Sequence, residues 1–406
     1  MSESLPEILH YIPAQPTKES LDYADLPVID LAKAKGSQDD LLKLADETER
    51  IFDIANIPFT RVPEEEKLLY DAKSHESGSF QGYKLREYWI PSTLREASEI
   101  RSSRTTACYH MFNSESQTHV ELLLVNRNVT RRAHPEAIRP LIPEIDAFAR
   151  HNHFNVALPI LRLLAIGLEL PENTFADMHD FSATGESFGP LISLTFSHIV
   201  RLTTAISPVH EIVRLPTLFS GVLLVLIVPF SYPRLEEDEI KSKNVWFKGH
   251  TDFGSITLLY SQPVAALQIL GLDGKWRWVK HIENAIIVNA GDAMESFSGG
   301  YYKATIHRVF QPPADQRGVT RLGAYYFNIP DDHVKLVPRT DSPLLQRLGI
   351  QRRFESDDKT PTMEEWRKSR TLAYGQNKGN LKVGEQQGEA KVDEEIINGI
   401  VVKHYK

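Results

Sequence analysis

Short apolar runs separated by turn-forming residues dominate the second half of this chain. The runs 267–272 (Leu-Gln-Ile-Leu-Gly-Leu) and 275–279 (Lys-Trp-Arg-Trp-Val) flank Asp273 and Gly274, a pair that favours a type I′ β-hairpin. A third run, 285–290 (Ala-Ile-Ile-Val-Asn-Ala), ends in a Gly-Asp turn. Short strands with turns at regular spacing are typical of an antiparallel jelly roll of two sheets. The pattern therefore predicts a barrel in this part of the chain.

Segments with helical spacing or a helix-start signal flank these strands. Apolar residues recur at helical spacing in 41–54, and Pro63 precedes three glutamates, which is typical of a helix start. The run 161–170 predicts a buried helix that supports the barrel. A further helix is predicted at 364–370 and a strand at 396–405.

A histidine and an aspartate two residues apart, His250 and Asp252, lie in a strand-like run. Because alternate side chains of a strand face the same way, the imidazole and the carboxylate project together. His307 lies in a second strand-like run. Two histidines and one carboxylate on one face of a metal form the ligand set of non-haem Fe(II) oxygenases, with coordination positions open for reactants. The other interpretation is a pair of ordinary polar strand residues, since the chain has 15 histidines.

Five motifs follow one another around these residues: His-Thr-Asp-Phe-Gly, Asp-Gly-Lys-Trp, Val-Asn-Ala-Gly-Asp, His-Arg-Val and Arg-Leu-Gly-Ala-Tyr-Tyr-Phe. In this order they resemble the 2-oxoglutarate- and Fe(II)-dependent oxygenases, in the branch that includes isopenicillin N synthase and the plant flavonoid oxygenases. The ordered set is far more specific than any single motif. The resemblance implies a mainly β fold with flanking helices, built on a double-stranded β-helix (a jelly-roll, cupin-like barrel).

The resemblance also implies a role for each candidate site residue. His250, Asp252 and His307 correspond to the Fe(II) ligands of the family. Arg321 matches the arginine of the family's Arg-x-Ser motif, which holds the distal carboxylate of 2-oxoglutarate, and Tyr232 matches a tyrosine that shares this carboxylate. A guanidinium suits this task because it pairs bidentately with a planar carboxylate and stays charged at any working pH.

The implied reaction oxidises a small organic metabolite, of the kind found in secondary metabolism, while 2-oxoglutarate and O2 are converted to succinate and CO2. Hydroxylation, desaturation and ring closure all stay open, because substrate choice depends on loops and on residues at the barrel mouth. Two alternatives also stay open. One is an Fe(II) oxidase that needs no 2-oxoglutarate, as isopenicillin N synthase is. The other is a catalytically impaired product of an irregular gene model.

One position departs from the family pattern. Gly323 stands where the Arg-x-Ser motif has its serine, so a hydroxyl donor to the cosubstrate is missing. A hydrogen bond to a charged group contributes about 1.5–3 kcal/mol, and weaker binding of 2-oxoglutarate is therefore expected. On this reasoning Gly323→Ser tightens 2-oxoglutarate binding by up to about tenfold.

Composition and charge restrict the classes of partner. The net charge of −8 arises from 46 basic and 54 acidic residues without a basic block, so nucleic acid is not an expected partner. A single cysteine, Cys108, rules out an internal disulfide framework. The N-terminus lacks the pattern of a signal peptide, and the apolar run 218–230 is too short to span a bilayer. We expect a monomeric, cytoplasmic protein without a membrane partner.

Four regions are expected along the chain: an N-terminal helical and strand region (1–185), an atypical insertion (186–231), the barrel core (232–335) and a C-terminal helix and tail (336–406). Relatives have a strand and turn with Gly-Phe-Phe and Asn-His-Gly in the first region, and these motifs are absent here. The second region is either an insertion that packs on the barrel or a stretch translated from an unremoved intron.

The insertion leads to a prediction about protease sensitivity. The strands of relatives already cover both sheets, so we expect its apolar run to pack poorly and to promote association. Limited proteolysis should therefore cut first between Ser207 and Pro216. If the segment resists protease and is protected from hydrogen exchange as well as the barrel strands are, it is an integral part of the fold.

Overall fold

The strands of this protein form two main antiparallel sheets around one apolar core. The structure, a computed structural model, describes residues 10–27, 57–58, 61–71, 82–84, 122–124, 134–181, 239, 243–350, 360–373, 386–387, 390–397 and 400–405. The predicted helix 41–54 and the predicted insertion 186–231 lie outside the described residues. Among the residues that are described, no helix is both long enough and apolar enough to cross a bilayer.

The described part of the chain contains twelve strands: β1 Gly82–Lys84, β2 Leu122–Leu124, β3 Val245–His250, β4 Ile256–Tyr260, β5 Leu267–Leu270, β6 Trp276–Trp278, β7 Ile286–Ala290, β8 His307–Phe310, β9 Tyr325–Asn328, β10 Gln386–Gln387, β11 Ala390–Ile397 and β12 Ile400–Tyr405. The larger sheet has the order β10-β11-β12-β3-β8-β5-β6, and the smaller sheet has the order β7-β4-β9. β1 and β2 form a separate pair. All of these strand pairs are antiparallel.

The two main sheets share a common interior. Leu267 of the larger sheet and Leu259 and Ile287 of the smaller sheet line one cavity between them. All five residues of β4 are buried, which follows if one face lines this interior and the other is covered by helices. The mainly β jelly-roll fold with flanking helices that the sequence predicts is confirmed.

The described residues contain six α-helices: α1 Glu64–Leu69, α2 Ile142–His151, α3 Leu158–Gly167, α4 Asp292–Phe297, α5 Pro343–Arg347 and α6 Met363–Ala373. A π-helical segment, Asn152–Ala157, joins α2 to α3. The helix start predicted at Pro63 is confirmed, since α1 begins directly after it. The predicted buried helix and the predicted C-terminal helix correspond to α3 and α6, although α3 starts and ends earlier than expected.

The helical layer from α2 to α3 packs on the outer face of the smaller sheet. The Tyr260 hydroxyl donates a hydrogen bond to Oδ1 of Asn152 at 3.0 Å, and its ring lies 5.0 Å from the Phe148 ring, centroid to centroid. His153 is buried, and its Nδ1 lies 2.8 Å from the Tyr326 hydroxyl oxygen. These contacts assign Tyr260 and Tyr326 to the outer face, so their neighbours along each strand face the barrel interior.

The hairpin predicted at Asp273 and Gly274 is present, but its turn differs from the predicted type. The N–H of Gly271 donates to Lys275 O at 2.8 Å, and the N–H of Gly274 donates to Gly271 O at 2.9 Å. Gly274 has a φ of 74°, whereas Asp273 does not have a positive φ. A type I′ turn needs positive φ at both central residues. The connection is therefore a three-residue loop with glycine in the left-handed position.

The strand predicted at 396–405 consists of two strands. β11 and β12 pair in a register that runs from Ile397 opposite Ile400 to Val392 opposite Tyr405. A connection of two residues between paired strands is the shortest hairpin loop. The Asn-Gly sequence at 398–399 is a strong signal for such a loop, and it indicates this hairpin from the sequence alone.

Close packing between α3 and Tyr302 leads to a prediction about stability. The Tyr302 hydroxyl donates to Leu164 O at 3.1 Å, and its oxygen lies so near Gly167 that an added Cβ would overlap it. We expect Gly167→Ala to lower the free energy of unfolding by about 1–3 kcal/mol, measured by urea titration. With Tyr302→Phe present, the nearest ring atom is Cζ at 3.7 Å, and the same change should be neutral or stabilising. An equal loss in both backgrounds would contradict this account.

Candidate metal centre

Two histidines on neighbouring strands face each other in the larger sheet. His250 ends β3, His307 begins β8, and the antiparallel register places them opposite each other. Their ring centroids are 4.3 Å apart. Asp252 follows in the loop after β3, and its Oδ1 lies 3.8 Å from Nε2 of each histidine. The structure thus brings together the three residues that the sequence singled out.

Backbone carbonyls fix the orientation of both imidazole rings. Nδ1 of His250 lies 2.8 Å from Lys248 O, and Nδ1 of His307 lies 2.9 Å from Thr305 O. A carbonyl oxygen only accepts, so Nδ1 carries the proton in each ring and Nε2 presents its lone pair on the side of Asp252. Metal-binding histidines adopt this arrangement, in which the second nitrogen donates to a carbonyl or carboxylate.

Asp252 has one carboxylate oxygen engaged and the other directed at the histidines. The Thr257 hydroxyl donates to Oδ2 at 2.6 Å, and Nδ2 of Asn289 donates to the same oxygen at 2.8 Å. Thr257 lies on β4 and Asn289 on β7, so the smaller sheet holds the carboxylate that faces the histidines of the larger sheet. Neither residue was predicted as part of the site, although a polar Asn289 inside an apolar run was a usable signal.

The three side chains fit a divalent metal ion. Their candidate ligand atoms lie within 4.8 Å of one another, and all three residues are buried. Burial, together with the nearby His307, holds the pKa of His250 well below its usual range, and burial also lowers the pKa of His307. Both rings are therefore neutral, which is the form that binds metals. Among the described residues, no hydrogen-bond donor reaches the buried Nε2 of His250.

The electrostatics of Asp252 also favour a bound cation. Burial raises the pKa of its carboxyl group, while His307, Thr257 and Asn289 oppose this shift. A buried carboxylate is destabilised by the loss of water, and a bound cation offsets that loss. The arrangement is therefore better suited to hold a cation than to remain as an isolated polar cluster.

The loop that carries Asp252 is clamped by the turn after β7. The N–H of Asp292 donates to Asp252 O at 2.7 Å, and a Cβ on Gly291 would lie 2.6 Å from that same oxygen. Position 291 therefore has room for glycine only. From α6, Arg370 donates to Thr251 O at 3.1 Å, and its Nε lies 3.4 Å from Oδ2 of Asp292. The C-terminal helix thus supports the ligand loop from outside the barrel.

Arg321 lies in the interior of the same barrel. Its side chain is 2% exposed, and it lines a cavity together with Leu259. On β4, Leu259 lies two residues beyond Thr257, the partner of Asp252. Because two residues rise by about 7 Å along a strand, Leu259 in the cavity wall lies about that far along β4 from Thr257 beside the metal centre. A short dicarboxylate has the length to reach from one to the other.

Three tyrosines are relevant to the role of Arg321. Tyr232 lies outside the described residues, so its role stays a prediction. Tyr11, which no motif indicated, is close enough that the Arg321 charge opposes the rise of its pKa on burial. Tyr325 lies against Gly323: a Cβ there would be 2.5 Å from the Tyr325 hydroxyl oxygen. A serine at position 323 would therefore collide with the Tyr325 side chain, which argues against the expectation that Gly323→Ser tightens binding.

The segment that carries this site resembles known proteins. Residues 223–343 match the model of the family described as the 2OG-Fe(II) oxygenase superfamily. The chain is 32% identical over 153 residues to gibberellin 2-beta-dioxygenase 2 of Arabidopsis thaliana, a match covering 38% of this chain and 41% of that protein. It is 35% identical over 108 residues to the 2-oxoglutarate-Fe(II) type oxidoreductase hxnY of Emericella nidulans, covering 26% and 30%. The matches thus span less than half the length of these relatives.

Solved structures show the same fold. The crystal structure of a full-length Neurospora crassa protein in complex with alpha-KG superposes with a TM-score of 0.57 at 19% identity, covering 86% of this chain and 96% of that one. The structure of JOX2 in complex with 2OG, Fe and JA gives a TM-score of 0.50 at 16% identity, covering 89% and 90%. At these identities the likeness concerns the fold.

Removal of one ligand should abolish metal binding without unfolding the barrel. Asp252→Ala takes away a carboxylate that burial destabilises, so we expect a folded variant that no longer binds Fe(II) in anaerobic calorimetry. His307→Ala should behave in the same way. As a control, Asp332→Ala removes a carboxylate that pairs with Arg367 at 2.9 Å, and it should lower stability while Fe(II) binding stays stoichiometric. Stoichiometric Fe(II) in the Asp252 variant would refute the assignment.

Proposed function

Because residues 223–343 match the family model of the 2OG-Fe(II) oxygenase superfamily, we propose that this protein is a non-haem Fe(II)- and 2-oxoglutarate-dependent dioxygenase. It oxidises a small organic metabolite and releases succinate and CO2. The observation that carries the proposal is the buried cluster of His250, Asp252 and His307, with Arg321 in the same barrel interior.

In this proposal the two histidines and Asp252 hold Fe(II). Three protein ligands leave coordination positions for a bidentate 2-oxo acid and for O2. When bound, the iron supplies the electron transfer that O2 activation requires. Lys248 and Thr305 keep Nδ1 of each histidine protonated through their carbonyl groups, so that each Nε2 is available as a ligand.

Arg321 binds the distal carboxylate of 2-oxoglutarate. Burial lowers the pKa of its guanidinium, and the shielding from water strengthens its attraction for a carboxylate that enters the cavity. The apolar cavity wall formed by Leu259, Leu267 and Ile287 suits the methylene groups between the two ends of the cosubstrate. Tyr232 is proposed as a second contact to the same carboxylate.

The substrate class, the partners, the cellular location and the division of the chain into regions are also proposals. The name of the Arabidopsis relative, a gibberellin dioxygenase, supports a small organic substrate. We further propose that the protein acts as a cytoplasmic monomer with neither a nucleic-acid nor a membrane partner, with 186–231 as an insertion between the N-terminal region 1–185 and the barrel core 232–335. The region 336–406 supplies the C-terminal helix and tail.

One alternative has an observation in its favour. The Tyr325 phenol lies beside Arg321, where it either assists a carboxylate or occupies its place. In the second case the protein is an Fe(II) oxidase that needs no 2-oxoglutarate. An iron-dependent release of succinate from 2-oxoglutarate separates the two.

A comparison of two arginines tests the proposed function. Arg321→Gln removes the charge partner of the cosubstrate, and we expect the apparent KM for 2-oxoglutarate to rise by about tenfold to a hundredfold in assays of O2 uptake and succinate release. Arg308→Gln is the matched control. Arg308 follows His307 in β8, but it donates to Gln268 at 2.8 Å and lies 4.2 Å from the Trp276 ring centroid.

The control variant should keep the parent KM for 2-oxoglutarate, and both variants should bind Fe(II) as the parent does. Substrate oxidation by a parent protein that binds no 2-oxoglutarate would contradict the proposal and assign the protein to the 2-oxoglutarate-independent oxidases.

A further inference from the structure

Gly323 and Tyr325 depend on each other sterically. A Cβ at position 323 would lie 2.5 Å from the Tyr325 hydroxyl oxygen, 2.7 Å from Cε2 and 2.9 Å from Cζ, all closer than real Cβ contacts. Tyr325 itself is fully buried, and its ring stacks near Phe327 at a centroid distance of 6.2 Å, so it has little space to move aside. Glycine at 323 is therefore required by tyrosine at 325.

Arg321, Gly323 and Tyr325 lie on one face of the same extended segment, because side chains alternate along a strand. The Tyr325 hydroxyl lies beside the Arg321 guanidinium, and its interaction with that group opposes the lowering of the Arg321 pKa by burial. The phenol oxygen thus occupies the space beside Arg321 that a serine hydroxyl at position 323 would otherwise occupy.

We propose that Tyr325 supplies the hydroxyl group that Gly323 lacks, and that it donates a hydrogen bond to the distal carboxylate of the cosubstrate held by Arg321. The inference rests on the proposed function. A guanidinium has only donors, so the phenol beside it cannot donate its proton to Arg321 and can donate it to a different acceptor. A carboxylate bound at Arg321 is such an acceptor. Tyr325 is in this sense a binding residue for 2-oxoglutarate.

The adjacent tyrosine offers a matched control. Tyr326 is also buried, but it faces the other side of β9, where its hydroxyl lies 2.8 Å from Nδ1 of His153. Tyr325→Phe and Tyr326→Phe therefore delete the same atom from neighbouring positions on opposite faces of one strand. A general effect of losing a buried hydroxyl appears in both variants, whereas an effect on the carboxylate appears only in the first.

The test measures the Kd of 2-oxoglutarate by calorimetry with Mn(II) in place of Fe(II), so that no turnover occurs. We expect Tyr325→Phe to weaken 2-oxoglutarate by about tenfold, which corresponds to about 1.4 kcal/mol, with Mn(II) affinity unchanged. Tyr326→Phe should leave both constants at the parent values. An unchanged Kd in Tyr325→Phe overturns the inference. A tighter Kd also overturns it, because the phenol then competes with the carboxylate for Arg321.

A second set of variants relocates the hydroxyl group. Gly323→Ser alone should lower the Tm and weaken 2-oxoglutarate, because the new side chain collides with the Tyr325 ring. Tyr325→Ala removes the ring and the hydroxyl together. Adding Gly323→Ser to Tyr325→Ala should then tighten 2-oxoglutarate by several-fold relative to Tyr325→Ala, since serine now has room and restores a donor. The inference fails if the added serine weakens binding in that background.

Failure of the inference and failure of the proposed function give different results. If the parent protein with Mn(II) binds no 2-oxoglutarate, the proposed function is overturned and the inference falls with it. If the parent binds 2-oxoglutarate and Tyr325→Phe binds it equally well, only the role of Tyr325 is overturned.

Discussion

The close approach of two backbone segments, the loop that carries Asp252 and the turn at Gly291, is the constraint on which the site depends. Both histidines belong to the larger sheet, whereas the carboxylate is held by Thr257 and Asn289 of the smaller sheet. Metal ligands must keep their distances within a few tenths of an ångström. The two sheets must therefore meet at a fixed separation, and the hydrogen bond to Asp252 O, with no side chain at position 291, sets that separation.

Local patterns were sufficient to predict the parts of the molecule that depend on short stretches of chain. Alternation along one strand predicted that His250 and Asp252 lie together, and they do, although the strand ends at His250 and Asp252 lies in the loop that follows. The ordered motifs added His307 and Arg321. The strand runs, the β5–β6 hairpin and the helix after Pro63 follow from spacing and turn residues in the same way. Ligands at strand ends can be predicted from the sequence, because the period of a strand fixes where each side chain points.

Contacts between sheets were not accessible in this way. Thr257 and Asn289 reach Asp252 only because β4 and β7 have a particular register and face a particular strand of the other sheet. A shift of one residue would turn both side chains away, and a single sequence does not specify that register. The same limit explains Gly323, which looked like a lost hydroxyl when considered by itself. Its meaning changes once Tyr325 is seen in the adjoining space.

The support that the ligand loop receives from distant parts of the chain has a consequence for synthesis. Arg370 of α6 holds Thr251 O, and β12 pairs with the ligand strand through Tyr405 opposite Gly249. These contacts cannot form while residues 370–405 are still inside the ribosome. During translation the histidines and Asp252 are thus already present, but the strand that borders them has no edge partner. The ligand loop therefore receives its full support only after residues 370–405 have emerged, well after its own ligands have been synthesised.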